Sequence, residues 1–588
     1  MCGIAGYIGN KKASELLLSS LKRLEYRGYD SCGMAVILNN DISLKKDVGK
    51  IDDVHKKLNF TELDGTIGIA HTRWSTHGAV TQKNAHPHLS DNKKIAVVHN
   101  GIIENYQQLK EMLTKEEISF YGETDTEVIP NLIQFEMKDK SFEDACFAAF
   151  KQLEGNYAIL AIHADEKKIV AARNGSPLVI GVGENEYFAA SDIPAFLEYT
   201  PNVIYLHDKD VVIFDGKMRI FNLGENRQVE RPIDSVKWSV EQAKKGDFDH
   251  FMLKEISEQV ETVQKAISQD KKDLFMIADE MKKAKGVFFV ACGTSYHACL
   301  SASYIFSKIT GLHINVVLGS EFSNYEHFLK EDTLVIAVSQ SGETIDVLDA
   351  VKTAKKKNSK VISIVNVMGS SLHRNSDHTI MMNAGPEICV LSTKTYTSQL
   401  AILTLLAYTL AGRYEEGKDK LKYLWNSIYN LTSANTRSHI KQLADKLQHS
   451  QHIFTIGRGL QYPTALEAAL KIKEVSYIHA EGFSGGELKH GTIALIEEGT
   501  PCIVFVSSEN EKEIISNAME IKARGGYIIG ISSKNNEVFD YFIKVPEAGD
   551  TNPICQIIPI QILAYQLALL RGCDPDKPRN LAKSVTVK

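Results

Sequence analysis

The 588-residue sequence has no CxxC pair. Its nine cysteines, at positions 2, 32, 146, 292, 299, 389, 502, 555 and 573, are scattered and odd in number. That pattern excludes zinc-ribbon and dithiol redox spacings and reads as the reduced thiols of a cytoplasmic protein. Long basic runs and interleaved aromatic stripes are missing too. Lys+Arg 67 against Asp+Glu 73 leaves a net charge of -6, so nucleic acid is not an expected partner. No apolar run approaches the ~20 residues of a membrane span, and the N-terminus has no basic segment followed by a long apolar core, so neither a membrane nor a leader is expected. Neither GxxxxGK[ST] nor a complete GxGxxG occurs, which disfavours nucleoside triphosphate and dinucleotide cofactors.

What is present is a thiol at the second position. If the initiator Met is removed, Cys2 carries both a nucleophile and a base, because a terminal α-amine with a pKa of roughly 7.7–8.0 accepts the thiol proton near neutral pH. Such a pair suits attack on an amide carbonyl. With 44% hydrophobic residues and a length beyond the ~250–300 residues at which single cores stop growing, about three domains are expected. Over residues 1–225, short β-branched runs (Cys2–Ile8, Gly33–Leu38, Thr66–Ala70, Ile95–His99, Tyr157–Ile162 and Leu178–Val182) alternate with helical patterns at Ala13–Leu24, Tyr106–Leu113, Thr126–Met137 and Phe142–Leu153. This predicts an α+β domain with helix-covered sheets.

Three polar segments in it have the chemistry for free glutamine: the loop from His71 to Gly78, His99-Asn100-Gly101, and Gly122 to Thr126. The α-carboxylate calls for an Arg, the α-ammonium for a carboxylate, and the attacked carbonyl for oxyanion donors. Arg73, Asp125, the Asn100 amide and the Gly101 N–H fill these roles. The plainer alternatives are that Asp125 is a helix N-cap and Asn100-Gly101 a turn. Cys2-Gly3-Ile4, Glu25 to Ser31, His71-Thr72-Arg73-Trp74, Asn84 to His88 and His99-Asn100-Gly101 together resemble the class II glutamine amidotransferase family. The resemblance implies the N-terminal-nucleophile hydrolase fold, Cys2 as nucleophile, Asn100 and Gly101 as oxyanion hole, and Arg73 and Asp125 as glutamine clamps. His86 and His88 have no third ligand at a zinc-like spacing and read as structural or substrate-positioning groups.

Residues 226–274 read as a polar linker ending in a helical stretch, and the remainder as an internal repeat. Val287–Ala291 with Cys292-Gly293-Thr294-Ser295 matches Ile453–Ile456 with Gly457-Arg458-Gly459, and the segment ending at Ser339 matches the one ending at Ser507. Apolar strands alternating with helices predict two doubly wound parallel sheets, at 275–415 and 440–578, followed by a tail at 579–588. The fold class expected is therefore multidomain α/β.

The copies differ in chemistry. Copy one has Ser339-Gln340-Ser341-Gly342-Glu343-Thr344 between strand and helix, a hydroxyl-rich anion site, whereas copy two has Ser507 to Lys512 there, with added carboxylates. Copy two supplies Glu467, Lys471 and Glu474 at i, i+4 and i+7 on one helix face, with Lys473 turned elsewhere, and His490 on a Gly-flanked loop. A solvated ion-pair face is the plainer reading of the helix. A His can open a sugar ring, and a carboxylate can move a proton between C1 and C2.

These motifs resemble the sugar isomerase family. Placed after an amidotransferase domain, they are similar to the isomerising glutamine–fructose-6-phosphate aminotransferases, a likeness that runs through the tail from Asp576 to Val587. What that implies is glutamine and fructose 6-phosphate as substrates, a homodimer, and no metal or organic cofactor. It further implies Glu474 as isomerising base supported by Glu467 and Lys471, His490 from the neighbouring subunit as ring opener, and Lys583 as Schiff-base amine. Thr294, Ser295, Ser339, Gln340, Ser341, Thr344, Val390 and Ser392 would line the phosphosugar pocket, and Trp74 would gate ammonia. The rivals are an amidotransferase with another acceptor and a phosphosugar-binding regulator with vestigial catalytic groups.

Overall fold

The computed structural model describes residues 2–74, 78–236 and 244–586. Ser75, Thr76 and His77 of the first polar loop, part of the linker, and Val587 of the tail motif lie outside the described residues. The chain divides into two compact units, residues 1–243 with 582–588, and residues 244–581.

The first unit holds two antiparallel sheets. One orders its strands Asp234–Ser235, Asn202–Tyr205, Val179–Val182, Tyr187–Ala190, Gly3–Ile8, Ile67–Arg73, Ser31–Leu38 and Asp41–Val48. The other runs Arg227–Val229, Met218–Asn222, Asp210–Phe214, Glu166–Asn174, Gly155–His163, Ile95–Ile103 and His88–Leu89. Strand periodicity explains the layering. In Gly155–His163, Ala158, Leu160 and Ile162 face a core shared with Ile4 and Ile69 of the other sheet, while Tyr157, Ile159 and Ala161 face helices Val128–Glu136 and Phe142–Gln152. Helix Ala13–Leu24 covers the first sheet's outer face through Leu17, Leu21 and Leu24. The result is a helix–sheet–sheet–helix sandwich. Residues 227–229 and 234–235, which the sequence places in a connector, are strand edges. Arg231 holds that segment down by donating Nε and Nη2 at 2.8 Å to both oxygens of the buried Asp210.

The second unit contains two five-stranded parallel sheets of identical topology. The first orders its strands Asn315–Leu318, Gly286–Ala291, Thr333–Ser339, Lys360–Val365 and His378–Met381; the second orders them His479–Ser484, His452–Gly457, Pro501–Phe505, Tyr527–Ser532 and Tyr541–Lys544. In both, the second strand lies outside the first, so the chain reverses between the first and third strands. In such sheets the crevice beyond the carboxyl ends at that switch point is where ligands bind.

One core joins both sheets to helices Phe251–Ala266, Lys394–Leu410 and Asn552–Leu570. The last of these bears on the membrane expectation. With the turn before it, Gly549–Leu570 is 22 residues long and apolar enough to cross a membrane, but most of its apolar stretch is buried inside this core. Gln556 and Gln561 interrupt the apolar run in the sequence, and each finds a buried partner: Val506 O at 2.8 Å for Gln556 and the Gln259 amide at 2.7 Å for Gln561.

Two candidate active sites

In the first unit, Cys2 stands at the entry to strand Gly3–Ile8. That strand lies tight on its neighbour: a Cβ at Gly3 would come within 2.8 Å of Thr72 and 2.9 Å of Leu24. Register pairs Gly3 with Thr72 and Ser31 with Arg73, which delivers Arg73 and Trp74 beside the thiol. The Trp74 N–H donates to Cys2 Sγ at 3.2 Å, and the thiol lies 3.3 Å from the Trp74 carbonyl. Burial pushes the Cys2 thiol up from its usual value, opposed by the Trp74 hydrogen bond and the Arg73 charge. Burial likewise lowers Arg73, while Cys2, Asp30 and Asp125 act on its guanidinium in the other direction.

Both plainer readings give way here. Asn100 and Gly101 form no turn; they lie inside strand Ile95–Ile103, paired with Ala158 and Tyr157. Gly101 has φ +130°, and a Cβ there would fall 1.9 Å from the Asn156 carbonyl, so only glycine fits. Asp125 does not cap its own helix: Oδ2 accepts the Ile103 N–H at 2.8 Å, from the same strand that carries Asn100.

The Asn100 amide is oriented by a buried histidine. His71 Nε2 lies 3.1 Å from the His99 carbonyl, which can only accept, so Nε2 carries the proton and also donates to Asn100 Oδ1 at 2.9 Å. The amide nitrogen therefore faces Cys2, donating to its carbonyl at 2.8 Å and to Ser191 Oγ at 2.9 Å. Ser191 also accepts the Ile4 N–H at 2.8 Å. Sequence reasoning missed Ser191, which follows strand Tyr187–Ala190 with no motif around it. His71 stacks on His86 at 4.1 Å, and His86 meets His88 edge-on at 4.8 Å. Burial lowers all of these and His99, His71 to about 3, so the stack is neutral.

In the second unit, the switch point of the first sheet brings together Cys292 to Ser295 and Ser339 to Thr344. Thr294 and Ser295 open helix Gly293–Thr310, and Thr344 immediately precedes helix Ile345–Lys356. The hydroxyl-rich loop is internally braced. Ser339 Oγ lies 3.0 Å from Thr344 Oγ1 and accepts the Gly342 N–H at 3.1 Å, and Ser341 Oγ accepts the Glu343 N–H at 3.2 Å. The Glu343 carboxylate turns away from the loop to accept the Ser371 N–H at 2.7 Å. Gln340 sits on the same loop, half-buried.

The matching crevice in the second sheet is filled by its own side chains. Asn510 donates to Gln461 Oε1 at 2.8 Å and to the Arg458 carbonyl at 2.8 Å, while its Oδ1 takes the Ser507 N–H at 2.9 Å. The Ser508 N–H is held by Glu547 at 3.0 Å.

Helix Gln461–Ser476 of the second copy packs against helix Gly293–Thr310 of the first. Glu467 and Lys471 are fully buried and Glu474 is 19% exposed, whereas Lys473 is exposed. The face is thus an interior one, not a solvated ion-pair stripe. Lys471 Nζ lies 2.7 Å from Glu474 and 3.4 Å from Glu467, and donates to Thr294 Oγ1 at 3.0 Å. Thr294 in turn donates to Glu467 at 3.1 Å. Burial works against the Lys471 charge, but Glu467 and Glu474 outweigh it and raise its pKa.

The loop bearing Val390 and Ser392 is held from the root of the tail. The Val390 N–H donates to the Asp576 carbonyl at 3.1 Å, and both Asp576 carboxylate oxygens cap helix Phe251–Ala266 at 2.7 and 2.9 Å. The root of the tail is thereby tied to the loop bearing Val390 and Ser392. His490 is exposed at the end of the 3-10 turn Gly485–His490, without a hydrogen bond to Glu467, Lys471 or Glu474 among the described residues. Lys583 falls in the segment grouped with the first unit.

Residues 71–198 match the glutamine amidotransferase domain family, and residues 280–409 and 446–571 each match the SIS domain family. The chain is 46% identical over 602 residues to the glutamine–fructose-6-phosphate aminotransferase [isomerizing] of Thermococcus kodakarensis, and 45% identical over 598 residues to that of Pyrococcus horikoshii, covering all of each chain. Its second half superposes on the C-terminal domain of a glucosamine-fructose-6-phosphate aminotransferase from Francisella tularensis with TM-score 0.53 and 34% identity, over 57% of this chain and 99% of that one. With a glutamine amidotransferase domain of antiparallel sheets followed by two SIS domains of parallel sheets, and full-length identity at this level, the chain belongs to the isomerising glutamine–fructose-6-phosphate aminotransferase family.

Proposed function

We propose that this chain converts glutamine and fructose 6-phosphate into glutamate and glucosamine 6-phosphate. Cys2 attacks the glutamine amide carbon, ammonia leaves, and water releases glutamate from the thioester. Arg73 and Asp125 clamp the amino-acid end of glutamine, supported by the charge relation between them at the thiol. Asn100 and the Gly101 N–H stabilise the tetrahedral oxyanion. Since both Asn100 amide hydrogens are engaged by Cys2 O and Ser191, binding of glutamine has to free one of them. Residues 1–225 carry this step.

Ammonia then reaches the sugar half, over residues 275–415 and 440–578, by a path that Trp74 gates. Thr294, Ser295, Ser339, Gln340, Ser341 and Thr344 hold the sugar phosphate, with Val390 and Ser392 on its flank. His490 opens the ring from the neighbouring subunit of a homodimer, which its exposed position permits. Lys583, in the tail at 579–588, forms the Schiff base with the open keto sugar. Glu474 carries the proton between C1 and C2. Nine scattered cysteines without a CxxC spacing fit a cytoplasmic protein.

The observation that carries the reading is the buried Glu467–Lys471–Glu474 group set against Thr294 at the anion crevice. The Lys471 ammonium between two carboxylates, hydrogen-bonded to Thr294, supports the assignment of Glu474 as base and of the neighbouring crevice as the phosphate site. Incubating the protein with glutamine and fructose 6-phosphate and identifying the product by mass spectrometry tests it. Glutamate without an amino sugar phosphate would overturn it.

A further inference from the structure

Glu467 has a third partner that the mechanism above does not use. His297 lies one helical turn after Thr294 on helix Gly293–Thr310, and its Nδ1 is 2.8 Å from Glu467 Oε2. The other carboxylate oxygen, Oε1, receives Thr294 and Lys471. Because Glu467 is fully buried, an ionised carboxylate there accepts only from protein groups, and His297 is the partner that Oε2 has among the described residues. Tyr396, whose hydroxyl is pushed up by burial and by the Glu467 charge, stays a neutral phenol.

From this geometry we propose that His297 is a positioning residue for proton transfer in the sugar site: its Nδ1–H holds Glu467 so that Lys471 stays with Glu474. The inference rests on the reading of Glu474 as the base. The chain of contacts runs His297 to Glu467 at 2.8 Å, Glu467 to Lys471 at 3.4 Å, and Lys471 to Glu474 at 2.7 Å. The single ammonium is therefore shared unequally, closer to the base. Glu467 tolerates the longer contact because His297 and Thr294 also hydrogen-bond its carboxylate. With the His297 donor gone, Oε2 is a buried acceptor that has lost this partner, and Lys471, already 3.4 Å from Oε1, is the cation that can move to it. Drawing Lys471 toward Glu467 takes it from Glu474, whose carboxylate then loses the 2.7 Å ammonium contact that holds it in place. His297 reaches none of the hydroxyls of the loop from Ser339 to Thr344, so sugar-phosphate binding is left alone.

The test is glucose 6-phosphate/fructose 6-phosphate interconversion by the full-length protein without glutamine. In His297→Leu, kcat should fall roughly 10- to 100-fold, the equivalent of one lost charge-assisted hydrogen bond, with KM within about twofold. His297→Asn, whose amide N–H takes the place of Nδ1–H, should restore most of the rate. An unchanged kcat in His297→Leu, a change in KM alone, or an Asn variant as slow as the Leu variant would overturn the proposal. If His297→Leu does not fold, Asn is compared with His297→Gln, whose amide is displaced by one methylene. Asn faster than Gln by about fivefold or more supports the role, and equal rates overturn it. Glu474→Gln in the same assay separates the two levels. If it retains activity, the base assignment fails; if it is inactive while His297→Leu is normal, only the role of His297 fails.

Discussion

Replacing Lys471 with Met removes the one cation between two carboxylates in a site without water access at two of its three members. At an effective dielectric of about 20, an ammonium at 3.4 Å from Glu467 has an attraction of about 5 kcal/mol, and the pair with Glu474 at 2.7 Å is slightly stronger. Most of that offsets the desolvation of the charges, and Glu474 is partly solvated. The net loss on breaking such a buried group is about 3–5 kcal/mol, chiefly because Glu467 is left buried with its charge uncompensated. The double variant Glu467→Gln/Lys471→Met removes that charge as well and should recover at least half of the loss. Lys471 has its pKa raised above the unfolded value, so its stabilisation is fully present below pH about 10.4 and is lost only as pH rises through the raised value. The effect should therefore be flat from pH 6 to 9. A chain of this size does not unfold in one step, so the assay is amide hydrogen exchange of peptides from helix Gln461–Ser476 in the intact protein across a denaturant series. A loss under about 1 kcal/mol in Lys471→Met, or a double variant weaker than the single one, would refute the reasoning.

Three further outcomes are expected. Gly101→Ala forces a Cβ to within 1.9 Å of the Asn156 carbonyl at φ +130°, so glutamine hydrolysis should fall by about 100-fold or more while sugar-phosphate isomerisation is spared; normal glutaminase rates would refute the strand placement of the oxyanion donors. Ser341→Asp places a carboxylate in the anion crevice and should weaken fructose 6-phosphate binding roughly 100-fold by calorimetry, with an unchanged affinity locating the phosphate elsewhere. The neutral histidine stack has folded pKa values below the unfolded value of 6.5, His71 at about 3, so the unfolded chain binds more protons in that window. The first unit should lose stability as pH falls from about 6.5 toward about 3, and His71→Gln should flatten that slope; a pH-independent stability would show that the rings are solvated.

Much of this was legible from residue patterns because periodicity and chemistry coincide. Strand Gly155–His163 alternates between two cores as its side chains do, and the Glu467, Lys471 and Glu474 spacing falls on one buried face. What was not legible depends on partners distant in sequence. That Asn100-Gly101 is strand and not turn follows from pairing with Ala158 and Tyr157, more than fifty residues on. Ser191 and His297 carry no local motif. The spacing of Thr294 and His297 as i and i+3 places both on one helix face, but only the arrival of Glu467 from the other copy gives that face a purpose. The strand edges at 227–235 were hidden because a charged, polar segment looks like a connector until Arg231 finds Asp210.

The self-filled crevice of the second sheet also bears on stoichiometry. A duplicated unit starts with two equivalent anion crevices, yet Gln461, Ser507 and Asn510 now satisfy one another across the second, and Glu547 takes a backbone donor an anion would need. The same helix that closes that crevice with Gln461 carries Lys471 and Glu474 ten and thirteen residues further along, toward the first. With its own crevice closed, the second half lends its helix to the first, so under the proposed function an internally twofold molecule is expected to hold a single sugar phosphate per chain.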